Sequence, residues 1–332
     1  EQALPHVHDS IGICHAVLPR QGHLRPGLFC VGGDSHSPTG GAFGAYMFGI
    51  GATEMLGVVS TGEIWVQVPR TLRMEWRGRL PAGLCAKDMM LAMIGRFGMN
   101  GGAYQAVEFA GEAVRALPMG ERMTLANMSA ELGAQVGLVA PDETTRHWLA
   151  AHDVTDVEID RWQSDEGSAS EVHAFDAATL APQVAAPHSP ANAADVTRHA
   201  GTRVDVAYIG ACTGAKLDDL RFAARVLRGR HVAEGVKLLV APASHADRDE
   251  AAAEGVMQIL TDAGAQVLAS ACGACAGYGD SFAADQTVIS STARNFKGRM
   301  GPASTQVYLA SASTVAASAL TGRITDPREV MA

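Results

Sequence analysis

The sequence predicts an α/β protein built on mainly parallel sheets. Three observations carry this prediction. The last third of the chain holds three short apolar runs, VDVAYIGAC, VKLLVAPAS and AQVLASAC; the helical pattern KLDDLRFAARVLRG separates the first two; and an earlier run, LFCVGGDSH, leads from a strand into a polar turn. Strands that alternate with helices form parallel sheets, because parallel neighbours need a crossover connection.

Taken in order, LFCVGG reads as a strand, and the glycine-rich stretch TGGAFGAYMFGIGATEML as one tightly packed helix after it. Near Pro69 the pattern changes. TLRMEWRGRL alternates like an edge strand, and AKDMMLAMIGRFG reads as an amphipathic helix opened by Asp88. LANMSAELGA has a helical pattern that sets Asn127 and Glu131 four residues apart on one face. From about Arg161 to Gly201 the chain is rich in Ser, Ala, Pro and Asp with weak periodicity, which predicts a loop-like crossing segment. These changes divide the chain into an incomplete first α/β unit (1–69), a second with the crossing segment (70–200) and a third (201–332). In parallel sheets ligands gather outside the carboxyl ends of the strands, so functional side chains belong at those turns.

Composition narrows the function. With 332 residues, 47% hydrophobic and 18% charged, the chain can bury large cores and form two or three domains. A net charge of −9 argues against a nucleic-acid partner, so an anionic substrate must be held by locally placed arginines. No stretch is long and apolar enough to predict a membrane span. Six cysteines with no leader and no regular framework predict a reducing cytoplasmic setting rather than secretion. The sequence starts at Glu1, directly in a region that reads as functional, which predicts that its natural beginning lies upstream.

The chemistry-bearing residues fall at the predicted turns. Cys212 ends an apolar run (VAYIGACTG), and Cys272 and Cys275 share ACGACAG. Three thiolates from two turns can hold three irons of a 4Fe-4S cluster and leave the fourth iron open to substrate. Buried free thiols, a redox pair or a zinc site completed by histidine are the alternatives. His15 follows IGIC and Asp34-Ser35-His36 follows FCVGG, which puts two imidazoles and a carboxylate at predicted strand ends. A carboxylate beside a histidine fixes its tautomer and raises its basicity, as acid/base chemistry needs. If Glu131 is buried it needs a charged partner, and His36 is the candidate. Arg294 and Arg299 lie in ISSTARNFKGRMG, read as a loop directly after the C-x-x-C strand, and guanidinium forks recognise carboxylates bidentately.

Together these segments resemble the aconitase superfamily, most closely its large-subunit type of isopropylmalate dehydratase and homoaconitase. The resemblance runs from about His6 to Ile324 and includes Asp34-Ser35-His36, EFAGEAVRALPMGERMTLANMSAELGA, APDETT, PQVAAPHSP, ACTGAKLDDL, CGAC and RNFKGR. It implies three-layer α/β/α domains with the active site at strand carboxyl ends between them. It also implies a hydro-lyase that isomerises a small hydroxy di- or tricarboxylate through an enoic acid. By motif position, the resemblance implies that Cys212, Cys272 and Cys275 are the cluster ligands. It likewise implies that His15 with Asp34, and His36 with Glu131, are paired catalytic supports, and that Ser35, Asn127, Arg294 and Arg299 bind substrate.

Two family parts have no counterpart in this sequence: a leading segment with an Asp-His pair, and the swivelling domain with its serine base. The second absence predicts a separate small subunit, without which the chain is inactive. Two motifs also depart from the pattern. The first cysteine turn reads Ala211-Cys212-Thr213-Gly214 where the family has Ser-Cys-Thr-Asn, and Ala293 replaces the Asn or Ser before the arginine. Outer-shell hydrogen bonds tune a cluster, so these losses predict one more labile to oxygen. A non-catalytic or regulatory relative with a degraded cluster site is the second reading, and a zinc protein the third.

Overall fold

The computed structural model describes residues 6–278 and 282–331. Among these, three sheets organise the chain. Strands β1 (Phe29–Gly32) and β2 (Tyr46–Gly49) form a parallel pair. The glycine-rich stretch between and beyond them is not one helix. It divides into a 3-10 turn (Ser37–Phe43), β2 and a helix (Ala52–Thr61). Gly44 takes φ +74°, a left-handed conformation that stops the turn, and the aromatic run Tyr46-Met47-Phe48 then favours extended backbone. Gly41 allows this turn to lie against the second sheet, because a Cβ there would stand 1.7 Å from the Gly137 carbonyl oxygen.

The second sheet holds β3 (Thr71–Arg77), β4 (Ala106–Ala110), β5 (Val136–Val139) and β6 (Glu171–Asp176), in the order β5-β4-β3-β6 and all parallel. The run TLRMEWR is therefore an inner strand rather than an edge. Its second neighbour, β6, comes from the segment expected to be loop, and that strand's exposed face weakens its hydrophobic pattern. The helix Ala86–Phe97 starts where AKDMMLAMIGRFG predicts, but it is buried on nearly every side. Cys85 is its N-cap, and Asp88 accepts the Cys85 N–H at 3.0 Å from the first turn instead of opening the helix.

The third sheet comprises β7 (Gln183–Ala185), β8 (Ala193–Asp195), β9 (Val206–Ile209), β10 (Lys237–Val240), β11 (Ala265–Val267), β12 (Thr287–Ser290) and β13 (Gln306–Leu309). Its order is β11-β10-β9-β12-β13-β7-β8; the first five strands run parallel, and β7 and β8 add antiparallel. The crossing segment thus extends this sheet through two short strands. Helices Leu217–Leu227, Val256–Asp262 and Ala312–Thr321 pack over a core of Ala207, Ile209, Leu220, Leu238, Val240 and Val315. Loops at the carboxyl ends of β1, β9, β11 and β12 carry Asp34, Ser35, His36, the three cysteines and the two arginines.

Candidate active site

The turn after β9 brings Cys212 into an apolar pocket with Ile13, Ala16, Ala243 and Cys272. Cys272 precedes a 3-10 turn (Gly273–Ala276) in which the Cys275 N–H donates to the Cys272 carbonyl at 3.0 Å. Burial pushes all three thiols up, and each of the other sulfurs adds to the rise at Cys212. Cys272 is pushed to about 11, by burial first and then by Cys275. Cys275 is also raised by burial, against the opposing influence of Arg299 and of the Ala293 N–H that donates to it. Three thiols in one electrostatic neighbourhood resist becoming thiolates together unless a cation joins them.

Across from the cysteines, His15 and His36 approach edge-on with ring centroids 6.1 Å apart. His15 is the second residue of the short helix Cys14–Arg20, so it does not end a strand as expected. Its Nε2 lies 2.7 Å from Asp34 Oδ1. Burial opposes the charged imidazole, but the Asp34 and Cys14 side chains outweigh it and raise His15 to about 9. The His15 hydrogen bond in turn holds Asp34 well below the usual carboxylate range. Asp34 also accepts the His36 backbone N–H at 2.8 Å, which orients the turn after β1. Ser35 is exposed on that turn.

Glu131 is fully buried and lies beyond the end of the helix Met119–Met128, in the following turn, so it does not share a helical face with Asn127. Its Oε1 meets His36 Nε2 at 2.9 Å and accepts from Arg294 Nε at 2.6 Å. Burial alone would push this carboxyl up; His36 and Arg294 overcome it and hold it below the ordinary value. Asn127 Nδ2 donates to Thr39 Oγ1 at 2.8 Å and to Cys212 Sγ at 3.2 Å. Arg294 and Arg299 follow β12, a strand of its own, and not the C-x-x-C turn directly. The buried atoms Arg299 Nε, Asn127 Oδ1 and Glu131 Oε2 have no partner among the described residues. Three gathered thiols, bordered by unpaired donors and acceptors, fit an iron-sulfur cluster and a polar ligand beside it.

Sequence reasoning missed the buried cations behind these turns. Lys87 is 1% exposed, and its ammonium donates to Thr213 Oγ1 at 3.3 Å and to the Ser291 and Thr292 carbonyls, both at 2.7 Å. Lys216 Nζ donates to the Cys212 carbonyl at 3.1 Å and pairs with Asp219 at 2.8 Å. The available signal was a Lys-Asp pair inside the otherwise apolar helix AKDMMLAMIG. The departure at Gly214 also acquires a physical reason. A Cβ there would lie 2.3 Å from both the backbone and hydroxyl oxygens of Ser291. The Ser291 hydroxyl accepts the Gly210 N–H at 2.9 Å and can donate to the Gly214 carbonyl at 3.0 Å, so it fills the turn.

A family model described as "Aconitase family (aconitate hydratase)" matches residues 3–322. With that match, fold and site define a hydro-lyase, an enzyme that adds and removes water. The chain belongs to the aconitase family, and membership implies an iron-sulfur cluster. It is 42% identical over 330 residues to "3-isopropylmalate dehydratase large subunit 1" of Methanopyrus kandleri, which covers 99% of this chain and 79% of that protein. Identity is 44% over 332 residues with "Probable methanogen homoaconitase large subunit" of Methanosarcina mazei, covering 99% and 84%. It is 41% over 319 residues with a 3-isopropylmalate dehydratase large subunit of Oleidesulfovibrio alaskensis, covering 96% and 76%. Among the described residues, no helix is long and apolar enough to cross a membrane.

Proposed function

We propose that this chain is the cluster-bearing large subunit of a cytoplasmic hydro-lyase that isomerises a small hydroxy di- or tricarboxylate, such as an isopropylmalate, through an enoic acid. The observation that carries this reading is the approach of Cys212, Cys272 and Cys275 to two histidine-carboxylate pairs on one rim of the fold. Those cysteines would hold a 4Fe-4S cluster by three irons. When bound, the cluster supplies a Lewis-acidic iron that eases departure of the hydroxyl group.

The chain's own residues handle orientation and protons. Asp34 takes the His15 Nε2–H and keeps the imidazole oriented and protonated near neutral pH, which leaves Nδ1 as the ring nitrogen that would hold a proton for a substrate oxygen. Glu131 orients the His36 ring through its Nε2 from the opposite side. Arg294 spends its Nε on Glu131, which leaves the two Nη groups for a substrate carboxylate. Arg299 and the Ser35 hydroxyl would supply further contacts, and Asn127 would align Cys212 while offering its free Oδ1. The division into units 1–69, 70–200 and 201–332 belongs to the same reading, with the site where the three meet.

A separate small subunit would contribute the remaining base and the groups that recognise the substrate's variable arm. The test is anaerobic reconstitution with iron and sulfide, addition of a small subunit of this type, and an absorbance screen for hydration of isopropylmaleate, homoaconitate, citraconate and dimethylmaleate. The expected result is hydration of one acid, dependent on both chains. Full turnover by this chain alone would contradict the two-subunit reading.

A further inference from the structure

We propose that Lys87 is a positioning residue for the cysteine site: its buried ammonium locks the Cys212 turn to the loop carrying Ala293 and Arg294, and it places a positive charge behind the thiolates. The inference rests on the reading of Cys212, Cys272 and Cys275 as cluster ligands.

The geometry is that of a three-way tie. Lys87 enters from the helix Ala86–Phe97 on the second sheet's side, yet all three of its acceptors belong to the third sheet's rim. Thr213 immediately follows Cys212, and its hydroxyl also donates to the Ser291 carbonyl at 3.1 Å. Ser291 and Thr292 precede Ala293, whose backbone N–H donates to Cys275, and Arg294, which binds Glu131. By drawing both carbonyls to one side, the ammonium aims the next N–H at Cys275 and sets the reach of Arg294. One side chain thereby coordinates both cysteine turns and the arginine loop.

Charge separates this role from ordinary packing. A buried ammonium is costly unless an anion compensates it. Lys216, equally buried, has Asp219 at 2.8 Å. Among the described residues Lys87 has only neutral acceptors within hydrogen-bond distance, and burial lowers its pKa to about 8. On the rim its charge acts on the cysteine site itself, since Lys87 favours the thiolate of Cys275. Asp219, Cys85 and Glu131 also favour its charge from nearby, and Lys216 opposes it. A cluster with thiolate ligands is an anion that would balance this charge.

The test compares wild type with Lys87→Met, which keeps the length of the side chain and removes its charge, and with Thr213→Val, which removes only the shared hydroxyl. Each protein is reconstituted anaerobically, and three quantities are measured: iron and sulfide content, the rate of cluster loss in air, and the reduction potential. The expected result is cluster loss about tenfold faster in Lys87→Met, the scale typical of a lost outer-shell partner, with a more negative potential. Thr213→Val should lose its cluster faster by a smaller factor, and it decides the matter if Lys87→Met does not fold. Wild-type retention and potential in the folded variants would overturn the proposal. Failure of the wild type to take up iron and sulfide would instead overturn the cluster reading, and the proposal with it.

Discussion

His36 and Glu131, 95 residues apart in sequence, meet as a buried pair with Nε2 2.9 Å from Oε1. Arg294 joins the same oxygen from a third segment, so one carboxylate anchors loops from three parts of the chain. The site is held by long-range charge pairing rather than by a local motif.

Glu131→Gln should therefore destabilise the cluster-free protein by about 3 kcal/mol near neutral pH, because a buried cation loses its counter-charge. Glu131 has a depressed pKa in the fold, so its contribution is present above its unfolded value and is lost as pH falls through the folded one. Urea unfolding at several pH values should show the gap between wild type and variant closing in acid. A constant gap would remove the charge explanation.

Asp34→Asn should lower the His15 pKa from about 9 towards or below the ordinary 6.5, since burial would then act with less opposition. The sign follows from linkage. A raised histidine stabilises the fold fully below its unfolded pKa and loses that contribution as pH rises through about 9. Asp34 is half exposed, so the contribution is about 1 kcal/mol after solvent screening. NMR titration of the His15 ring protons measures the shift directly, and an unchanged midpoint in the variant would exclude Asp34 as its source.

Ala211 occupies a left-handed conformation, φ +70°, immediately before Cys212. A non-glycine residue there carries strain of about 1–2 kcal/mol, partly offset by the greater chain freedom of glycine when unfolded. Ala211→Gly should stabilise the cluster-free protein by about 0.5–1 kcal/mol in chemical denaturation. Destabilisation would show that the Ala211 methyl, 2% exposed with its residue, contributes more through packing than it costs in strain.

Gly214→Asn restores the residue usual in the resembling family, yet it should destabilise this chain by about 2 kcal/mol, because the new Cβ meets Ser291 backbone as well as side chain. Ser291→Gly added to it should recover only part of the loss. A neutral Gly214→Asn would mean that the 288–292 segment moves aside easily.

Much of this arrangement was legible in the sequence. The runs ending at Cys212 and Cys272 announced parallel strands by composition and spacing, and β9 and β11 are those strands. The His36-Glu131 pair followed from the rule that a buried carboxylate needs a cation. The misses share a cause: context outside the local window. TLRMEWR looked like an edge because β6 is too exposed on one face to advertise itself as its neighbour. AYMFG was absorbed into a helix because glycines on both sides obscured a short strand. His15 was assigned to a strand end, although IGIC forms only a single bridge, Gly12 with Ser244, before a helix begins. Lys87 was invisible as a site residue because its three acceptors are more than 120 residues downstream.

The central claim is that three thiols anchor an iron-sulfur cluster, and metal and sulfide analysis after anaerobic reconstitution tests it most directly. The account predicts about four irons and four sulfides per chain in the wild type, with a marked loss of both in Cys212→Ser, Cys272→Ser and Cys275→Ser alike. Stoichiometric zinc without sulfide, or cluster content unchanged in any of the three variants, would contradict it.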